Sequence, residues 1–362
     1  LRHLYEIQQL SSSQLLALLA LARSIEARPG YYQGRLTGRR IAMLFYEPST
    51  RTRFSFEAAA QALGATCIST ENARQFSSAY KGETLADTVR IASGYVDAIV
   101  LRYDRTGGAE EAAHYATVPV INAGDGTGQH PTQALLDLYT ILKHVVQLEG
   151  KEIVLVGDLG NGRTVHSLAY LLAKHYPNNR LVLLSPDVPE VKMPPHILEY
   201  LASKGVAWRE GRVWSREVLR SADIVYMTRV QQERFKDDLV LHMKVVEQAN
   251  QLNLTSEVVG YMKPSTIILH PLPRLGEIPP QIDQDPRAKG SSAGRSRPMW
   301  CSAWPRQWIL TATLRSAWGP TTRWLQWPRP ARWCWRSTPT CRSPTATAMC
   351  TCPRWRHWWR AR

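Results

Sequence analysis

The chain has 362 residues, enough for two ordinary domains, and a formal net charge of +15, which taken whole points to nucleic acid or an anionic membrane surface. Position removes that reading: residues 1 to 286 hold 30 Lys+Arg against 30 Asp+Glu, whereas residues 287 to 362 hold 15 basic residues and no acidic one. The body is neutral and has no run of 18 apolar residues, so no nucleic-acid or membrane partner is expected of it.

Cys67 is the single cysteine of residues 1 to 286. A disulfide framework is therefore excluded there, and a reducing, cytoplasmic setting is the natural expectation. Leu1 in first place, rather than Met, reads as a fragment, a processed chain or a piece of a longer polypeptide.

In chain order, Ser11 to Ser13 cap a leucine-rich helix through Ile25. Short β-rich apolar runs then alternate with helix-length patterns, which predicts βαβ units and parallel sheets. Strands are expected at 41–45, 66–69, 98–101 and 118–122, and again at 153–156, 181–184, 223–227 and 266–269. Between the two groups His130-Pro131 opens a long helix whose Leu135, Leu138, Ile141 and Leu142 recur at helical spacing. The expected fold class is α/β with two domains, each a parallel sheet flanked by helices. Residues 1–130 form the first domain, 131–150 a linking helix and 151–288 the second domain, with the active site in the crevice between them.

The loops after these strands are unusually polar. Glu47-Pro48-Ser49-Thr50-Arg51-Thr52-Arg53 runs into a helix, where free N–H groups, hydroxyls and a guanidinium would make a phosphate cradle. Alone, the same heptapeptide is equally a capped surface helix with solvated arginines. Residues 75 to 84 form a long polar loop carrying Ser77 and Lys81, either a mobile anion-binding loop or a solvated turn. Arg102 follows the third strand. Asn122-Ala123-Gly124-Asp125-Gly126 leads to His130 and Gln133, with glycines that permit close backbone approach.

In the second half, residues 156 to 167 resemble a dinucleotide fingerprint only loosely, because the spacing is not G-x-G-x-x-G and Arg163 stands at the helix start. A carboxylate ligand suits Arg163 better than a pyrophosphate. Arg229 repeats the theme after another strand, and His270-Pro271-Leu272-Pro273-Arg274 ends the last one. The body holds no Walker A loop, HExxH, Cys-x-x-Cys or nucleophile elbow, so NTP hydrolysis, metal hydrolysis and Ser/Cys acyl transfer lose support. Arg51, Lys81, Arg102, Arg163 and Arg229 instead describe a site for small, multiply anionic substrates.

Ser-Thr-Arg-Thr-Arg at 49 to 53, His-Pro-Thr-Gln at 130 to 133 and a second-domain arginine motif resemble the transcarbamoylase superfamily. Lys-Gly-Glu-Thr at 81 to 84, Met-Thr-Arg-Val-Gln at 227 to 231 and His-Pro-Leu-Pro-Arg at 270 to 274 resemble the aspartate carbamoyltransferases within it. The resemblance covers residues 1 to 288. It implies a transferase moving a carbamoyl group from carbamoyl phosphate to L-aspartate in pyrimidine synthesis, without cofactor or metal. A carbamoyl-phosphate-binding first domain and an aspartate-binding second domain are implied with it. Ser49, Thr50, Arg51 and Thr52 would hold the phosphate; Thr52, Arg102 and His130 would polarise the carbonyl, with Gln133 near the carbamoyl NH2. Arg163, Arg229, Gln231 and the backbone at Leu272 would hold aspartate. Ser77 and Lys81 would reach in from an adjacent subunit, Lys81 touching both substrates, which implies a homotrimer with shared sites, alone or inside a larger assembly or multifunctional polypeptide. The competing readings are an inactive homologue with an assembly role and a carbamoyltransferase for another amino acid.

Residues 289–362 depart from the family abruptly. Their Trp/Arg/Pro/Cys composition, lacking acids and enriched in residues with G/C-rich codons, reads as a frameshifted or misannotated translation. The rival readings are a cationic, Trp-rich appendage for RNA or anionic membrane, and a metal site from Cys334, Cys341, Cys350, Cys352 and His357, whose spacing matches no structural zinc pattern.

Overall fold

The computed structural model describes residues 1–288. The three readings of the tail therefore lie outside the described residues.

Two parallel sheets carry the chain. The first consists of β1 (Arg40–Phe45), β2 (Thr66–Thr70), β3 (Ala98–Tyr103) and β4 (Val120–Asp125), in the order β2-β1-β3-β4. The second consists of β5 (Glu152–Val156), β6 (Arg180–Leu184), β7 (Ala207–Gly211), β8 (Ile224–Met227) and β9 (Ile267–Leu269), in the order β7-β6-β5-β8-β9. The central strands are near-continuous apolar runs because helices cover both faces, so every side chain needs to be oily. β7 corrects the expectation of four strands in this sheet. Its Ala-Trp-Arg-Glu-Gly sequence has no apolar run, and it lies at the sheet edge with its first four residues exposed.

Strand order reverses direction between β1 and β3 in the first sheet and between β5 and β8 in the second. Crevices open beyond the carboxyl ends of the strands at such points. The loops concerned follow Phe45, Tyr103, Val156 and Met227, and Arg51, Arg163 and Arg229 stand in or just beyond three of them, whereas Arg102, expected to follow the third strand, lies inside β3 in register with Phe45.

One buried cluster runs through both sheets. Leu135, Leu138 and Ile141 on the helix Pro131–His144 and Leu168, Leu171 and Leu172 on the helix Arg163–His175 belong to it, together with Ile41 and Met43 of β1 and Ile153 and Leu155 of β5. The loops that follow β1 and β5 are thus based on a shared core rather than on separate ones.

Both sheets use the same device to fasten their central strands. Asp97, just before β3, accepts hydrogen bonds from the Arg40 backbone N–H and the Arg39 guanidinium, each at 2.8 Å. Asp223, just before β8, accepts from the Glu152 N–H at 3.0 Å and from Lys263 at 2.8 Å. Each carboxylate pins the start of the neighbouring central strand, satisfying an N–H that would otherwise face the sheet end. Among the described residues no helix is long and apolar enough to cross a membrane.

Candidate active site

The helix Thr50–Ala62 starts beyond β1 with Ser49 at its N-cap, and the Ser49 side chain does not cap the helix. First-turn N–H groups at the positive end of the helix dipole are thus left without a side-chain cap, and Thr52 of the same turn lines the cleft that His130 shares. Arg51 belongs to the same turn. Its guanidinium is pulled down by burial and then by the charge of Arg229 from the second sheet, so these two cations sense one another across the crevice.

Glu47 lies between two further arginines. Its Oε2 stands 3.3 Å from Arg102 Nη2 and 2.9 Å from Arg163 Nη1. Burial, then Arg163, lowers the Arg102 guanidinium to about 9, while Glu47 acts in the opposite direction and Arg51 adds to the strain. Arg102 remains a cation at neutral pH, but one with its Nε buried and without a hydrogen-bond partner. Buried, mutually repelling guanidinium groups with a single shared carboxylate form a site that gains from an arriving anion.

The β3–β4 pairing is irregular between Leu101 and Tyr103, where β4 carries an extra residue. The carbonyl of Ala123 at this bulge accepts from Arg102 Nη1 at 3.2 Å, and that of Gly126 accepts from Arg163 Nη1 at 2.9 Å. A bulge here re-aims the backbone toward the crevice. Gly124 is required at this place: its φ is +111°, and an added Cβ would stand 3.0 Å from Arg102 Nη1 and 3.1 Å from Arg163 Nε.

His130 occupies the N-cap of the helix Pro131–His144. Its backbone N–H donates to Ser167 Oγ at 2.8 Å, and its Nδ1 lies 3.3 Å from Thr132 Oγ1. His130 and Gln133 line one small cleft with Thr52, floored by Phe56 and Leu136. The expected carbonyl-polarising groups Thr52 and His130 are therefore brought together beside Gln133.

In the second sheet's loops, Arg229 grips Glu233 through both guanidinium nitrogens, at 2.8 Å for Nη1 and a shorter contact for Nη2. The Glu233 bond raises the Arg229 pKa and lowers that of Glu233. Gln231 Nε2 donates to the Asn161 carbonyl at 2.6 Å, and its backbone N–H donates to Asp158 at 3.1 Å. Leu272 has φ +64°, and its N–H donates to His270 Nδ1 at 2.9 Å, with His270 Nε2 in turn 2.8 Å from Glu277. A residue held in the left-handed region by a buried His-Glu pair is a fixed backbone feature at the end of β9.

Ser77 and Lys81 are not brought into the cleft. The Ser77 hydroxyl donates to the Ala73 carbonyl at 2.5 Å, and Lys81 is exposed at the end of the 3₁₀ turn Ser78–Lys81. Phe76 and Tyr80 on the same loop are 80% and 77% exposed, an apolar surface on a strongly polar segment.

Glu47 and Asp158 are the site residues for which sequence reasoning assigned no role, while Gly124 meets the close approach expected of the glycines before His130. Glu47 directly precedes the Pro-Ser-Thr-Arg cradle, and a carboxylate amid so many arginines was the available signal. Asp158 is fully buried and accepts from the backbone N–H groups of both Asn161 and Gln231, tying the loop after β5 to that after β8. Among the described residues no cluster of His, Cys, Asp and Glu has the form of a metal site.

The arrangement can bind dianions and polarise a carbonyl. Residues 2–143 match the family model described as the carbamoyl-P binding domain of aspartate/ornithine carbamoyltransferase, and residues 149–291 match the Asp/Orn binding domain of the same family. Aspartate carbamoyltransferase 1, chloroplastic, of Pisum sativum is 51% identical over 285 residues, covering 78% of this chain and 72% of its own length. The aspartate carbamoyltransferase catalytic subunit of Methanothrix thermoacetophila is 43% identical over 291 residues, covering 79% and 91%. Among solved structures, aspartate transcarbamoylase from Trypanosoma cruzi in complex with carbamoyl phosphate and aspartate superposes with a TM-score of 0.77 at 34% identity, covering 86% of this chain and 95% of that one. The catalytic subunit of M. jannaschii aspartate transcarbamoylase gives 0.73 at 36% identity, covering 88% and 98%.

Proposed function

We propose that this chain, which belongs to the aspartate/ornithine carbamoyltransferase family, transfers the carbamoyl group of carbamoyl phosphate to the amine of L-aspartate, giving N-carbamoyl-L-aspartate and phosphate for pyrimidine synthesis. The observation that carries this reading is the set of four arginines at two switch points, Arg51 and Arg102 from the first sheet facing Arg163 and Arg229 from the second. Two dianionic substrates supply the negative charge that such a set lacks.

In this reading Ser49, Thr50, Arg51 and Thr52 hold the phosphate at the helix start. Thr52, Arg102 and His130 donate toward the carbonyl oxygen, and Gln133 meets the carbamoyl NH2. Arg163, Arg229, Gln231 and the Leu272 backbone hold the aspartate carboxylates. As the uncharged amine attacks, the C–N bond forms and charge gathers on the carbonyl oxygen; the C–O bond to phosphate then breaks, and the departing phosphate takes up the proton that the amine nitrogen gives up. Preorganised donors around that oxygen and two anchored reactants lower the barrier without a protein nucleophile.

The division of labour, with residues 1–130 binding carbamoyl phosphate, 131–150 linking and 151–288 binding aspartate, is part of the same proposal. So is a homotrimer in which Ser77 and Lys81 complete a neighbour's site. The exposed Phe76 and Tyr80 beside Lys81 support it, because apolar surface on a polar loop suits an interface. Mixing inactive Lys81→Ala and Arg51→Ala chains tests it: shared sites predict recovered activity, and no recovery contradicts sharing. Cytoplasmic localisation belongs to the same proposal, supported by Cys67 being the one cysteine of residues 1 to 286, as suits a reducing compartment; cell fractionation separates this from the plastid compartment named for the pea relative.

Inhibition by N-(phosphonacetyl)-L-aspartate tests the substrate pair, since it joins a phosphonate and an aspartate in one molecule. Competition against carbamoyl phosphate is expected. Inhibition by the ornithine counterpart, with none by the aspartate compound, would overturn the choice of amino acid.

A further inference from the structure

Behind the cleft, three buried polar side chains form a line that binding and charge do not explain. Gln133 Nε2 donates to Asp137 Oδ1 at 2.8 Å, one helical turn further along. Tyr226 Oη donates to the other carboxylate oxygen, Oδ2, also at 2.8 Å, from β8 of the second sheet. Gln133, Asp137 and Tyr226 are 8%, 7% and 0% exposed.

We propose that Asp137 is a positioning residue that fixes which way the Gln133 amide faces, and that Tyr226 holds Asp137 in place from the second sheet. A carboxylate only accepts hydrogen bonds, so the amide nitrogen of Gln133 must turn toward it. Gln133 lines the cleft, and the amide atom left for the cleft is its oxygen. An oxygen there accepts from an NH2 donor and does nothing for a methyl group of the same size. The inference rests on the reading that Gln133 meets the carbamoyl NH2; what it adds is the cause of the discrimination. Without Asp137 the two amide orientations become close in energy, and the flipped form would set NH2 against NH2.

The test uses two stable dianions, phosphonoacetamide and phosphonoacetone. They share the phosphonate and the carbonyl and differ only in NH2 against CH3. Binding of each to the full-length protein is measured by titration calorimetry, so no activity is needed. The unsubstituted protein is expected to prefer the amide by about tenfold, the equivalent of one hydrogen bond. Gln133→Ala removes that preference. Asp137→Asn, which can offer Gln133 either a donor or an acceptor, lowers it by about fivefold or more while phosphonoacetone binds as before, since the phosphonate and carbonyl contacts are untouched.

If Gln133→Ala loses the preference and Asp137→Asn keeps it, the positioning role is overturned and the reading of Gln133 survives. If Gln133→Ala keeps the preference, that reading fails and the inference fails with it. Should Asp137→Asn not fold, Tyr226→Phe serves in its place. It leaves the Asp137–Gln133 bond but frees the carboxylate's far side, and is expected to lower the preference about threefold. An unchanged ratio in Tyr226→Phe overturns the proposal.

Discussion

Glu47 and Arg163 meet at 2.9 Å, a carboxylate from the loop after β1 against a guanidinium from the helix start after β5. The same Glu47 oxygen reaches Arg102. One acidic side chain thus spaces two cations that belong to different sheets, and it holds them where an incoming anion has to meet them.

Glu47→Ala is therefore expected to act on both stability and chemistry. Removing the shared carboxylate leaves Arg102 and Arg163 repelling one another at low exposure, costing about 1–3 kcal/mol in the ligand-free protein. Misplaced guanidinium groups should also lower kcat/KM for aspartate by about 10–100-fold. Thermal melts with and without phosphate check the first part: added phosphate should recover more stability in the variant than in the parent, and equal recovery would contradict the role given to Glu47.

Gly124→Ala probes the backbone beneath those arginines. A side chain at φ +111° is strained, at about 1–3 kcal/mol, and its Cβ would press on both Arg102 and Arg163. The expected result is a lower melting temperature together with a loss of turnover. A variant that melts like the parent and turns over normally would show that the loop relaxes without moving either arginine.

Much of this was legible in the sequence, and the exceptions have physical causes. The central strands were visible because buried parallel strands are continuous apolar runs, as in Ile41 to Phe45. β7 was invisible because an exposed edge strand such as Ala207–Gly211 needs no apolar pattern. Thr52, His130 and Gln133 stood out as polar residues at helix starts and do share a cleft. Glu47 and Asp158 did not, because a carboxylate that orients its neighbours through hydrogen bonds has no local spacing to mark it. Ser77 and Lys81 drew attention as part of a long polar loop and through the Lys-Gly-Glu-Thr resemblance, and in the described residues Lys81 is exposed at the end of its 3₁₀ turn.

Arg229 separates binding from chemistry. Its two-nitrogen grip on Glu233 shows that the guanidinium is presented in a geometry suited to a carboxylate. Arg229→Lys keeps the charge but loses the fork, so aspartate KM should rise by about tenfold or more while carbamoyl phosphate binding stays near normal. Unchanged aspartate KM and kcat would remove Arg229 from the aspartate site.

Acid stability should depend on the paired fasteners Asp97 and Asp223. Burial alone would raise both carboxyls, but the Arg40 N–H and Arg39 hold Asp97 below its ordinary value, and Lys263 and the Glu152 N–H do the same for Asp223. A carboxyl lowered in the folded state contributes stability that is complete above its unfolded value, about 4, and is lost as pH falls through the folded value. Asp97→Asn should thus be less stable than the parent near neutrality by about 1–3 kcal/mol, and the gap should close below about pH 4. Denaturant melts across this range check it; a gap that persists at low pH would assign the loss to packing rather than charge.

The most direct measurement is product formation by the purified chain supplied with carbamoyl phosphate and either L-aspartate or L-ornithine, with Arg51→Ala and His130→Ala chains alongside. The account predicts N-carbamoyl-L-aspartate and phosphate in equal amounts, no citrulline, and turnover lowered by about 10²–10³-fold in each variant. Citrulline in place of carbamoyl aspartate, or variants that turn over as fast as the parent, would contradict it.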